Sequence, residues 1–282
     1  MKYGIATFPT DYSIGPGALA RAAEERGFES FWVAEHSHIP VDRKAPWPGG
    51  DELPKMYYDV MDPFVALATA ASVTERILLG TGVCLVVQRD PIQTAKLVAS
   101  IDQVSGGRFL FGVGAGWNID EMENHGTDGE RRFKVLRERI EAMKAIWTQS
   151  KAEYHGEFVD FDPIYAWPKP VQKPHPPIHV GGVFPGAARR ALRWGNGWFP
   201  IPGRGESDYG ALREKIAELA DAEGRDPAEI EITVFGVSAD EAAVEQYRKD
   251  GVDRIVLSVP PVDEAESLKS LDAHREVAER VG

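Results

Sequence analysis

Short apolar runs alternate with amphipathic segments along the whole chain, and each kind of segment follows its own period. The runs Tyr3–Phe8, Ser30–Val33, Ile77–Val83, Arg108–Gly112, Ile178–Val180, Gly197–Phe199, Glu231–Phe235 and Arg254–Ser258 include several rich in β-branched and aromatic residues, which suits strands buried on both faces. The segments between them repeat apolar positions at helical spacing. Pro16 and Gly17 open one in which Leu19, Ala22 and Ala23 share a face, and Gly27 supplies a left-handed stop. In another, Phe133, Leu136, Ile140, Met143 and Trp147 form an inward stripe, with arginines and glutamates between them facing water. Eight strand-then-helix units predict an α/β chain folded as one (β/α)8 TIM barrel, with residues 1–282 as a single domain.

Two stretches break the alternation. Residues 36–61 carry Pro40, Pro46, Pro48, Gly49, Gly50 and Pro54, too dense a punctuation for regular structure, and a long loop after the second strand is a lid candidate. Residues 151–177 are rich in proline and aromatic side chains, among them Tyr154, Phe158, Phe161, Tyr165 and Trp167, and they predict a hairpin-like insertion.

Composition narrows the partners. A chain of 282 residues that is 43% apolar can bury a sizeable core. Its formal net charge of −12 opposes binding to nucleic acid, whose affinity rests on neutralising phosphates with Lys and Arg. Cys84 is the only cysteine, so neither an internal disulfide nor a multi-cysteine metal site can form, and redox chemistry would need a cofactor. Met1-Lys2 leads straight into a strand without the apolar stretch of a secretory signal, and no stretch approaches a membrane span, so the expected location is cytoplasmic.

Active sites of such barrels are built from the loops after the strands' C-terminal ends, and the unusual residues gather there. Glu35, His36 and His38 follow the second strand, and Gly82, Val83 and Cys84 end the third. Gly112-Val-Gly-Ala-Gly-Trp-Asn118 follows the fourth, and Gly181-Gly182 the fifth. An imidazole titrates near neutrality by default, which suits His36 to move a proton while a hydride is transferred, with Glu35 placed to orient or tune it. The plainer alternative is that His36 only hydrogen-bonds a neighbouring loop; His38 reads as structural.

Gly112, Gly114 and Gly116 are spaced two and two, not two and three, and lack the context of a dinucleotide fingerprint. They offer close backbone approach to a flat or phosphorylated ligand, or merely a tight turn. Gly181-Gly182 ahead of Pro185 places free amides at a helix N-terminus, a setting for phosphate. Arg189 and Arg190 on that helix read as a solvated face.

Taken together, Ser30-Phe-Trp-Val-Ala-Glu-His36, Leu79-Gly-Thr-Gly-Val83, Pro91, Ser105-Gly-Gly-Arg108, Gly112-Val-Gly-Ala-Gly-Trp117 and Pro177-Ile-His-Val-Gly-Gly182 resemble the luciferase-like monooxygenase superfamily, especially its coenzyme F-420-dependent branch. The likeness spans nearly the whole chain. It implies an oxidoreductase, usually dimeric, whose insertion-broken barrel holds a tricyclic deazaflavin at its mouth. It implies His36 as the catalytic histidine and a non-proline cis peptide at Gly82-Val83 backing the ring. It also implies phosphate contacts from Gly114, Ala115, Gly116, Asn118, Gly181 and Gly182.

Two departures bear on substrate. Members that oxidise glucose 6-phosphate carry a glutamate where this chain has Trp117, and a tryptophan where it has Pro40. A sugar phosphate is therefore not the expected substrate, and Trp117 implies a more apolar substrate pocket. The alternatives are an FMN- or reduced-FMN-dependent monooxygenase on the same barrel, and a non-catalytic flavin-binding relative. A metal-dependent hydrolase built on His36-Ser-His38 lacks further ligands at the later strand ends, so no metal is expected.

Overall fold

The computed structural model describes residues 1–282. All eight expected strands form: β1 (Lys2–Thr7), β2 (Ser30–Val33), β3 (Leu78–Thr81), β4 (Phe109–Gly114), β5 (Ile178–Gly181), β6 (Gly197–Phe199), β7 (Glu231–Val237) and β8 (Arg254–Ser258). Neighbours in the order β3-β2-β1-β8-β7-β6-β5-β4 are parallel, and a β3–β4 pairing closes the barrel. Parallel neighbours need a long return, and the helices between the strands supply it. Local chemistry sets where these begin and end. The side chains of Asp62 and Asp90 accept first-turn amides of helices Pro63–Ala71 and Pro91–Val104, each with proline in that turn, and Gly27 closes the first helix at φ +81°.

The third strand is shorter than the run Ile77–Val83 that marks it, while the cis peptide that the resemblance implied is present. It stops at Thr81, the Gly82–Val83 peptide is cis, and Cys84–Leu85 then pairs with β4 again. Residues 36–61 hold one short helix, Met56–Asp59. In the insertion, Ala152–His155 and Asp160–Ile164 pair antiparallel as a hairpin.

Burial divides into two cores. The larger, of 59 residues, lies between sheet and helices; the smaller fills the barrel with Ala6, Trp32, Leu110, Phe199 and Val256. Trp32 explains why so few side chains suffice. Its indole lies over Gly80, where a Cβ would come within 2.2 Å of the ring, and its Nε1 donates to Ser30 Oγ at 2.8 Å.

The N-terminal end of the barrel is polar. Arg254, only 1% exposed, donates to both Glu29 carboxylate oxygens at 2.7 and 2.8 Å, to Glu231 at 3.0 Å and to Thr233 at 3.1 Å. His179 sits nearby, edge-on to Trp32. Burial, reinforced by the Arg254 charge, pushes its pKa down to about 4 from an ordinary 6.5. Above pH 6.5 folded and unfolded chains both hold this imidazole neutral. Below it the unfolded chain binds a proton that the folded one refuses, so stability falls as pH drops from about 6.5 towards 4. The full loss is on the order of 3 kcal/mol from this residue. Urea unfolding of wild type and His179→Gln between pH 7 and 4 checks it: the variant is expected to show a shallower acid decline, and parallel curves would assign the decline elsewhere.

Candidate active site

His36 lies just beyond the C-terminal end of β2, and its side chain is 6% exposed. Its Nδ1–H donates to Glu121 Oε2 at 2.7 Å, which fixes the tautomer and leaves Nε2 as the nitrogen not engaged with the protein. Glu121 is fully buried, and its other oxygen accepts the Ser37 amide at 3.0 Å. Burial works to raise the Glu121 pKa, but the hydrogen bond and charge of His36, with the Ser37 amide, hold it below the usual carboxylate range. A buried carboxylate thus faces the imidazole.

Glu35 does not take that part. It was expected beside His36, yet it is bound across to the third strand: Oε2 accepts the Leu85 amide at 2.7 Å and Oε1 pairs with Arg89, which also bonds Asp62. Adjacent residues at a strand end project to opposite sides, so one of the two acids bracketing the mouth had to turn away from His36. Burial raises the Glu35 pKa against the lowering effect of Arg89. Glu35 ties β2 to the residues just beyond the Gly82–Val83 bond.

Glu121 did carry a sequence signal. Asn118-Ile-Asp-Glu121 matches a helix capping box, which needs no function. The box is not used: Asn118 makes no side-chain cap on helix Ile119–Asn124. Asn118 is instead buried, with its Oδ1 unpartnered.

The long loop brings aromatic rings to His36. Tyr57 lies 5.3 Å from the imidazole and 4.7 Å from Phe8, Trp47 lies 5.6 Å from Tyr57, and Trp117 closes the group at 5.7 Å from His36. Trp117 is thus beside His36, as its position after β4 suggested, and Tyr57 and Trp47 are loop residues that sequence reasoning did not single out. His38 diverges from His36 and bonds Ser37 Oγ and Asn124.

The glycines meet at the same end of the barrel. The Val83 side chain packs where a Cβ on Gly114 or Gly181 would stand, 2.5 and 3.2 Å away, so these two glycines make room for Val83. A Cβ on Gly82 would likewise strike Phe235 at 2.5 Å. Gly116 (φ +75°) and Gly182 (φ +127°) hold the positive φ that side chains avoid, and Ala115 lies buried between the strand-four glycines.

Arg190 is not the solvated residue that its run of arginines suggested. Its guanidinium packs over Phe133 at 4.3 Å, lies 3.7 Å from the Cβ position of Gly182, and leaves Nε unpartnered with no carboxylate on it. Burial and the neighbouring Arg132 charge both lower its pKa, so an anion here would relieve a cost already present.

Comparison with known proteins gives the family. The luciferase-like monooxygenase family matches residues 17–280. The chain is 42% identical over 267 residues, 92% of each chain, to an uncharacterized protein of Mycobacterium tuberculosis. It is 29% identical over 241 residues, 84% of this chain and 61% of the relative, to an F-420-dependent hydroxymycolic acid dehydrogenase of the same organism. The crystal structure of the monooxygenase RslO1 from Streptomyces bottropensis superposes with a TM-score of 0.80 at 22% identity, covering 99% of both chains. A family match over nearly the whole barrel places this chain in the luciferase-like monooxygenase family, as one of its oxidoreductases.

Proposed function

We infer that the protein transfers a hydride between coenzyme F-420 and a small organic substrate, with His36 moving the accompanying proton. The observation that carries this reading is the buried His36–Glu121 pair, with Nε2 left for a substrate heteroatom beside Trp117, Tyr57 and Trp47. A deazaflavin or flavin supplies the hydride chemistry when bound.

The residues present fit the phosphorylated end of such a cofactor. The Gly182 turn is exposed and the Arg190 guanidinium beside it lacks a counter-ion, while the buried, unpartnered Asn118 Oδ1 is free to accept from a cofactor hydroxyl or N–H. Arg190, Gly116 and Gly182 would hold the phosphate and Asn118 would accept from a cofactor hydroxyl or N–H, with Gly114, Ala115 and Gly181 shaping the wall, and Gly82-Val83 would back the ring. Removal of the substrate's hydroxyl proton puts a charge on His36, which the ionised Glu121 stabilises. The loop carrying Trp47 and Tyr57 excludes water, and the rings favour an apolar substrate.

The dehydrogenase relative favours F-420, and the family description keeps an FMN-dependent monooxygenase as the second reading. Equilibrium titration of the purified protein with each cofactor discriminates them. F-420 is expected to bind more tightly, and Arg190→Ala to weaken it by about 10- to 100-fold, the loss of one charge-assisted contact. Preference for FMN would replace this reading with the second, and binding of neither would end both.

The same reading takes residues 1–282 as one cytoplasmic domain that pairs as a homodimer. No helix is long and apolar enough to cross a membrane. Tyr165, Trp167 and Val171 of the insertion and Val104 of the helix it covers are exposed, an apolar surface of the kind that subunits bury.

A further inference from the structure

The Glu121 carboxylate is shared, and its second neighbour leads to the surface. Ser37 Oγ lies 3.3 Å from Glu121 Oε1, 2.7 Å from His125 Nε2 and 2.9 Å from His38 Nδ1. Asn124 Nδ2 donates to His38 Nε2 at 2.9 Å, so His38 carries its proton on Nδ1 and donates it to Ser37. One hydroxyl proton is then left for two acceptors, His125 Nε2 and Glu121 Oε1. A neutral His125 takes it across the shorter contact. A protonated His125 donates to Ser37 Oγ instead, which fills both lone pairs of the hydroxyl and turns its proton onto Glu121.

We propose that Ser37 and His125 are positioning residues for His36: the Ser37 hydroxyl turns between His125 and Glu121 as His125 loses or gains a proton, and so sets how firmly Glu121 holds the His36 imidazolium. The inference rests on the acid/base reading of His36. Its sign follows from the bond count. With His125 charged, Glu121 accepts one more hydrogen bond beside those from His36, the Ser37 amide and, at 3.5 Å, the Asn118 amide, and a carboxylate so satisfied attracts the imidazolium less. His36 then gives up its proton more readily, and the His125 charge acts in the same direction.

The surroundings leave His125 free to report solvent pH. It is exposed at the end of helix Ile119–Asn124. Burial, His38, Arg89 and Arg139 disfavour its charged form, and Glu121 favours it. His36 itself faces Glu121 and the rings of Tyr57 and Trp117, with Arg43 stacked on the latter. No carboxylate other than Glu121 bonds to either imidazole.

Nitrogen NMR of the histidine rings, followed against pH in the cofactor-free protein, tests the link directly. In wild type the His36 nitrogens are expected to show two inflections, the second at the midpoint of His125. That second inflection should vanish in His125→Phe and lose more than half its amplitude in Ser37→Ala. A single His36 inflection in wild type overturns the proposal without any variant. A second inflection kept at full size in Ser37→Ala overturns the hydroxyl link and leaves only a field effect. The acid/base reading stands or falls separately, on turnover by His36→Ala: coupled titrations with undiminished turnover would sink that reading alone, and lost turnover with uncoupled titrations would sink this proposal alone.

Discussion

Alanine in place of His36 is expected to reduce turnover by about 10²- to 10⁴-fold, the usual contribution of a positioned acid or base. The imidazole is the one titratable group that combines burial at the mouth, a fixed tautomer and a nitrogen facing the aromatic pocket. Cofactor affinity should hold within a few-fold, because the proposed phosphate grip is built from Arg190 and the glycine turns. Single-turnover hydride transfer, read from cofactor absorbance, separates the two quantities. Turnover at the wild-type rate with intact binding would leave His36 as a structural residue, the alternative noted from the sequence. Partial rescue of the variant by added imidazole would assign the loss to proton transfer and not to repacking.

Truncation of Arg254 is expected to cause the largest loss of stability in the molecule. Arg254→Ala would strand Glu29 and leave Glu231 with Lys2 alone at the barrel's N-terminal end, and breaking such a buried network costs about 3–5 kcal/mol. The lower end of that range applies, since both carboxylates keep about a quarter of their surface in water. Arg254→Met keeps an unbranched stem beside Trp32, 5.8 Å from the guanidinium in the wild type, and should recover part of the loss. Urea unfolding measures both, through the midpoint at unchanged slope. A loss below 1 kcal/mol in Arg254→Ala would show that the network contributes little to the fold. Activity is the informative control, because this cluster lies at the end of the strands opposite His36.

The fold could be read from the chain because its determinants are local. Strand runs and helical stripes are properties of neighbouring residues, and Ser30–Val33, Gly197–Phe199 and Arg254–Ser258 form over the residues that the pattern marks. The same local reading extends Ile77–Val83 as one strand, since apolar character does not reveal a cis peptide that breaks the ladder. Punctuation likewise located the long loop and the hairpin, and the resemblance placed His36, Trp117 and the glycines at one end of the barrel.

What the sequence by itself determined, then, is which residues reach the mouth; which of them touch was decided only by the closure of the sheet. Glu35 immediately precedes His36 and reads as its partner, while the carboxylate that binds the imidazole is 85 residues away. Arg190 reads as one arginine among several until helix Gly186–Trp194 lays it on Phe133 beside Gly182. Nothing local to Gly114 or Gly181 shows that Val83 takes the space where their side chains would stand. The physical reason is common to all three. Periodicity and propensity act over a few residues, whereas the pairing of a charge or the filling of a gap depends on side chains that only the closed barrel brings within a few ångströms of each other.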